Sequence, residues 1–135
     1  MLEFSEVRPE EKNVYSITYS TEDKMVRKMK MVVSFHPLGL MCEDRIEYVY
    51  DIEFKPPTIH INVLRHRSWD VTKTRRVAKF SVDLPDDFEI PWWLNPDELV
   101  DTIRAEGTRK TIELIFDYLK ALLSLISTDC LNFNL

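Results

Sequence analysis

A histidine and two carboxylates stand where an extended chain would bring them together. Asp51 and Glu53 occupy alternate positions, and so do His60 and Asn62 beyond the turn at 55–57. If the two flanking segments pair as antiparallel strands, all four side chains project from one face. A histidine beside a carboxylate is the minimum for general acid and base catalysis. A solvated sheet face has the same residue types, so an ordinary polar surface is the alternative to a catalytic role.

The same segment holds a pattern that suits a metal ion. Asp44, Asp51 and the Glu53-x-Lys55 spacing are residue types with which a restriction-type nuclease holds magnesium and orients the attacking water. The short Glu-x-Lys pattern arises easily in a chain with 30% charged residues. A metal-dependent nuclease is therefore a second alternative. The candidate catalytic residues are Asp51, Glu53, Lys55 and His60.

The sharpest charge asymmetry lies between Arg65 and Lys79. This stretch carries six basic side chains and one acid, whereas the whole chain has 18 Lys and Arg against 23 Asp and Glu. As a strand, turn and strand it would present a cationic finger to phosphates, with a tryptophan to stack on a base. The rest of the surface is acidic and would repel nucleic acid, which favours a merely solvated hairpin. The candidate nucleic-acid-binding residues are Arg65, Arg67, Trp69, Lys73, Arg75, Arg76 and Lys79.

Patterns for other cofactor or metal chemistry are missing from the sequence. Cys42 and Cys130 form no CxxC pair and no zinc-finger cluster, so neither a disulfide framework nor structural zinc is expected. The two glycines, Gly39 and Gly107, belong to no phosphate-binding loop. We therefore expect neither a cofactor nor a structural metal.

The first part of the chain alternates apolar and polar side chains, which is typical of strands. Five segments show the alternation, at about 13–20, 25–36, 47–54, 58–67 and 75–84. Polar turns and prolines separate them, because proline donates nothing to a strand ladder. The pattern predicts a roughly five-stranded, mostly antiparallel sheet over residues 13–84 with one apolar face.

The last part of the chain changes to helical periodicity. Asn95 can cap a helix that starts at Pro96, and Gly107 can close it in a left-handed conformation. Thr108 can cap the next helix. We predict two C-terminal helices, at about 96–106 and 109–127, packed on one face of the sheet. Strands followed by helices predict a single α+β domain over residues 1–135.

The second predicted helix has more apolar positions than one sheet face needs. A flanking apolar stripe widens its main stripe, and the excess predicts a twofold dimer through this flank. Two adjacent tryptophans precede the helices, and we expect one in the core and one partly exposed. The interface candidates are Leu114, Tyr118, Ala121, Leu125, Trp92 and Trp93.

The composition bounds the class of protein. A hydrophobic fraction of 44% with 11% aromatics excludes a disordered chain. No apolar run approaches the roughly 18 to 20 residues of a membrane span, and Met1 leads into acidic sequence without a signal region. We expect a soluble, cytoplasmic protein with no membrane partner. Absent glutamine and plentiful charges favour a thermophilic source.

No motif in this sequence identifies a reaction. The preferred hypothesis is a small non-enzymatic binding module that self-associates as a homodimer through its C-terminal helix. A protein partner is a further expectation. The first alternative is a nucleic-acid-binding protein that uses the basic hairpin Arg65–Lys79. The second alternative is the metal-dependent nuclease described above.

Overall fold

The computed structural model describes residues 1–23, 26–35, 45–67, 70–87 and 89–124. Within these residues, six antiparallel strands form one sheet in sequence order and two helices follow them, which confirms the predicted α+β class. The strands are β1 (Leu2–Arg8), β2 (Asn13–Asp23), β3 (Val26–Phe35), β4 (Ile46–Lys55), β5 (Thr58–Arg67) and β6 (Asp70–Asp83). A 3-10 turn at Trp92–Leu94 leads into α1 (Pro96–Glu106) and α2 (Thr108–Ser124).

The sheet has one strand more than the alternation predicted. β1 pairs antiparallel with β2, and Leu2 lies opposite Tyr19. Its apolar alternation breaks after Phe4, because Glu6 takes the next half-buried position and Val7 is exposed to solvent. The alternation of apolar residues therefore does not reveal this strand.

Two other boundaries differ from the predicted ones. β6 begins at Asp70 rather than near residue 75, because Asp70 pairs with Arg67 of β5 and most of the predicted connection is strand. α2 begins at Thr108, one residue before its predicted start. The predicted helical residues 125–127 lie outside the described residues.

The core lies between one face of the sheet and the two helices. Burying these side chains removes large apolar areas from water, which is the main favourable contribution to folding. β2 to β5 each contribute alternate residues, and the helices contribute the positions of their apolar stripes. The fully buried side chains include Ile17, Met31, Ile59, Ile61, Leu99, Ile112, Ile115 and Leu119.

The first helix begins and ends where its caps predicted. The Asn95 side chain accepts a hydrogen bond from the Asp97 N–H at 3.1 Å. Gly107 has a φ of 87° and donates its N–H to the Ile103 carbonyl at 2.8 Å. Both ends are therefore fixed by local chemistry.

One carbonyl joins the sheet to the start of the helices. The Leu94 carbonyl accepts a hydrogen bond from the Tyr19 hydroxyl at 2.6 Å and another from the Arg27 guanidinium at 2.5 Å. Tyr19 is on β2 and Arg27 is on β3, so two strands bind the turn that leads into α1. This arrangement fixes the direction in which the helices cross the sheet.

Candidate functional site

The basic segment forms the hairpin of β5 and β6. Arg65 lies directly opposite Arg75, and Arg76 lies opposite Leu64 on the other face of the hairpin. The register shifts next to this point, between Val63 and Leu64. The structure thus gathers three of the predicted cationic residues at one end of the hairpin, on both of its faces.

These arginines have no acidic partner among the described residues. Within the part of the chain that the structure describes, Arg65, Arg75 and Arg76 take part in no ion pair or side-chain hydrogen bond. Arg75 and Arg76 are exposed, and Arg65 is half-buried. Like charges that lie directly opposite on paired strands are destabilising, so the bare protein gains nothing from the Arg65 and Arg75 pair. An anion between the two guanidinium groups would remove that repulsion.

The other predicted nucleic-acid-binding residues lie farther along the hairpin, near its turn, or outside the described residues. Lys79 is exposed and lies opposite Asn62, farther along the hairpin. Arg67 is half-buried near the turn. Trp69 lies outside the described residues, and so does the side chain of Lys73.

The helices cover the sheet incompletely toward this hairpin. Along three neighbouring strands, the side chains on the helix-facing side change from buried to half-buried toward this end of the sheet. On β4 and β5 the change falls at the same level, and on β3 it falls one row farther along, because the buried Val33 lies opposite Tyr48. The changes run from Val33 to Phe35 on β3, from Tyr50 to Tyr48 on β4 and from Val63 to Arg65 on β5. The face at this end is therefore partly open on the side where the helices pack.

Aromatic residues and arginines are neighbours in the strand register at this partly open end. The rings of Phe35 and Tyr48 stack with centroids 6.0 Å apart and planes 9° apart. Tyr48 lies directly opposite Arg65, which in turn lies opposite Arg75. We call these four residues the aromatic–arginine patch. Sequence reasoning missed it, because Tyr48 and Tyr50 follow the same alternation and both were predicted to be inward.

The opposite face of the sheet carries a shallow cavity of about 380 Å³. Its polar lining consists of Thr18, Ser20, Lys28, Lys30, Asp51, Glu53, His60 and Asn62. The pairing of β4 with β5 produces this arrangement, because Glu53 lies opposite His60 and Asp51 lies opposite Asn62. Three of the four candidate catalytic residues therefore line one cavity.

A row of three polar side chains runs from this cavity onto the neighbouring strand β6. Glu53, His60 and Ser81 lie opposite one another on β4, β5 and β6, and His60 Nδ1 is 2.8 Å from Ser81 Oγ. Glu53 forms an ion pair with Lys55 at 2.9 Å, and the hydrogen bond from Lys55 lowers the pKa of Glu53 despite some desolvation. A carboxylate, an imidazole and a hydroxyl are the groups of nucleophilic catalysis. Here the carboxylate is engaged by Lys55 and the serine is exposed, so the row lacks the enclosure that strengthens such groups.

The metal set of the nuclease hypothesis is not assembled in the described part of the chain. Among those residues, no three His, Cys, Asp or Glu side chains lie close enough to hold a metal ion. Asp44 lies outside the described residues. The nuclease alternative thus has no support from the geometry that is present.

The predicted interface residues lie in different environments. Trp93 is fully buried, and its ring meets the half-buried Tyr118 ring edge to face at 5.8 Å, whereas Trp92 is half-buried. Leu114 is half-buried, and Ala121 is exposed. Leu125 lies outside the described residues. Since Tyr118 packs against Trp93 of its own chain, part of the apolar excess of α2 is used inside the protomer.

Comparison with known proteins finds no relative that would indicate a function. No protein-family model, curated protein or solved structure matches this chain. Among the described residues, neither helix has the length and apolar character that crossing a membrane requires. The two surfaces described above, the basic hairpin with its aromatic–arginine patch and the polar cavity, are the candidates for function.

Proposed function

We propose that this protein binds nucleic acid through the β5–β6 hairpin. The observation that supports the proposal best is the opposition of Arg65 and Arg75 without an acidic partner in the described residues. A guanidinium group presents a rigid fork of donors that matches a phosphate. Two such groups facing each other, with Arg76 on the reverse face, suit a polymer of phosphates better than they suit folding.

The acidic balance of the whole chain does not oppose this function. The net charge is −5, but exposed charges farther apart than about 10 Å are largely screened at about 0.1 M salt. The local charge of the hairpin therefore decides what binds there. Contacts to phosphate carry no sequence information, so we expect binding that is strongly salt-dependent and sequence-tolerant.

Fluorescence anisotropy with a labelled oligonucleotide, titrated over a range of salt concentrations, tests the proposal. A hairpin variant replaces Arg65, Arg75 and Arg76 by Gln. We expect it to bind more weakly, with a slope of log affinity against log salt that is flatter by roughly 2 to 3, because each lost phosphate contact removes about 0.7 to 0.9.

A matched control separates the hairpin from overall charge. It replaces three cations that are exposed on the helices, Arg104, Lys110 and Lys120, by Gln, and so changes the net charge by the same amount. This variant is expected to keep the affinity and the slope of the parent protein. No binding by the parent at low salt, or equal losses in both variants, would overturn the proposal.

A further inference from the structure

We infer that the nucleic acid bound by this hairpin is single-stranded, with its bases stacking on the Phe35 and Tyr48 rings beside Arg65 and Arg75. The inference rests on the proposed function and adds the class of nucleic acid. A cationic hairpin alone is indifferent to strandedness, because phosphates are present in both forms. The rings next to it are what distinguish the two.

The register of the sheet places rings and cations in one row. Tyr48 on β4, Arg65 on β5 and Arg75 on β6 lie opposite one another, so all three project from the same face. Neighbouring strands are about 4.8 Å apart, and the row therefore spans roughly 10 Å. A single strand laid across it would present a base to the ring and its phosphates to the guanidinium groups.

The exposure of the rings supports binding of a base rather than a purely structural role. Tyr50, two residues farther along β4, is buried and packs against Phe116 of α2 with ring centroids 4.6 Å apart. Tyr48 and Phe35 pack against the edge of the core, but they are only half-buried and also stack on each other. The mutual stacking fixes their orientation before a ligand arrives, which lowers the entropy lost on binding.

A duplex could not use these rings. Its bases are already stacked within the helix, whereas a single strand can splay its bases onto aromatic side chains. Such stacking is tolerant of sequence because every base has a π-face. The combination of stacking rings with a cationic track is the usual composition of single-strand binding surfaces.

The test compares a labelled single strand that cannot pair with itself with the duplex of that strand and its complement, in both DNA and RNA. We expect the protein to bind the single strand more tightly. Tyr48→Leu keeps an apolar side chain but removes the ring, and it should weaken single-strand binding by about 5- to 100-fold. Tyr48→Phe keeps the ring and should bind as the parent does. Neither variant should change duplex binding.

The failure of this inference differs from failure of the proposed function. Equal affinity for single strand and duplex, with Tyr48→Leu unchanged on both, overturns the single-strand inference while the arginine variant still tests the hairpin. If Tyr48→Leu does not fold, ultraviolet crosslinking of the parent protein to a single strand decides the point. Crosslinks on the peptides with Phe35 or Tyr48 support the inference, and crosslinks confined to other peptides contradict it.

Discussion

The carboxylate of Glu6, on the first strand, lies against the backbone at Gly107, between the two helices. A Cβ added at Gly107 would be 2.7 Å from Glu6 Oε1. The backbone N–H groups of Arg109 and Thr108, at the start of α2, contribute to lowering the pKa of this carboxyl. The first N–H groups of a helix have no partner within it, and an acidic group there also suits the helix dipole. Glu6 of β1 therefore lies where an acidic group favours the start of α2.

The contact with Glu6 predicts that Gly107→Ala destabilises the protein. Gly107 has a φ of 87°, which residues other than glycine adopt only with strain. The Cβ of the alanine would also displace the Glu6 carboxylate. We expect a loss of about 1–3 kcal/mol in the free energy of unfolding, measured by urea denaturation. In a Glu6→Ala background the loss should be smaller. Losses that add fully would show that the carboxylate does not restrict this position.

Stability should fall in acid through Glu6. A hydrogen bond from Arg8 is the largest cause that lowers the pKa of Glu6, and the N–H groups of Arg109 and Thr108 lower it further against some desolvation. A group whose pKa is lower in the folded state stabilises the protein above its ordinary pKa of 4.5, and this contribution is lost as the pH falls through the lowered value.

Glu6→Gln should therefore flatten the fall of unfolding free energy below about pH 4.5. Glu3→Gln, which changes an exposed glutamate on the same strand, is the matched control. Identical acid profiles for the two variants would contradict this role of Glu6.

Stability should also fall in alkali through Tyr50. Burial raises the pKa of Tyr50 from 10 to about 12. A raised pKa favours the protonated hydroxyl in the folded state, so its contribution is complete below pH 10 and is lost as the pH rises toward 12. Tyr50→Phe should make the unfolding free energy less steep in this window, whereas Tyr48→Phe serves as control on the same strand. A slope in Tyr50→Phe as steep as that of the parent would contradict the prediction.

Because Arg65 and Arg75 lie opposite each other, replacing one of them should raise the stability of the protein while it weakens nucleic-acid binding. Arg75→Gln removes a like-charge pair and should raise the unfolding free energy by about 0.2–1 kcal/mol at low salt. The gain should shrink at high salt, because the screening length falls from about 10 Å at 0.1 M to about 3 Å at 1 M. Arg104→Gln, on α1, is the control. A salt-independent change, or a loss of stability, would contradict the repulsion.

The dimer proposed from the sequence is tested by light scattering. With Tyr118 packed against Trp93, the described part of the contact flank is Leu114 with Ala121. A dimer should have twice the mass of the 16.1 kDa chain, and Leu114→Glu should convert it into a folded monomer. A mass near 16.1 kDa at micromolar concentrations would exclude the dimer. Lys110→Glu, exposed on the same helix, is a suitable control.

The sequence by itself determined those features that depend on neighbouring residues. Alternation located most strands because side chains at alternate positions share a face. Asn95 and Gly107 marked the ends of α1 because capping is a contact within one turn of the chain. The alternation did not reveal β1, because Glu6 takes an inward position next to the start of α2, which is distant in the sequence.

The tertiary structure alone decided the features that depend on distant segments. Tyr48 and Tyr50 have the same residue type, the same strand and the same alternation, yet only Tyr50 is buried, because Phe116 of α2 packs over it. The register shift beside Val63 is likewise what sets Arg65 opposite Arg75. Burial and charge opposition arise from packing between elements, and no local pattern in the chain encodes where one element ends over another.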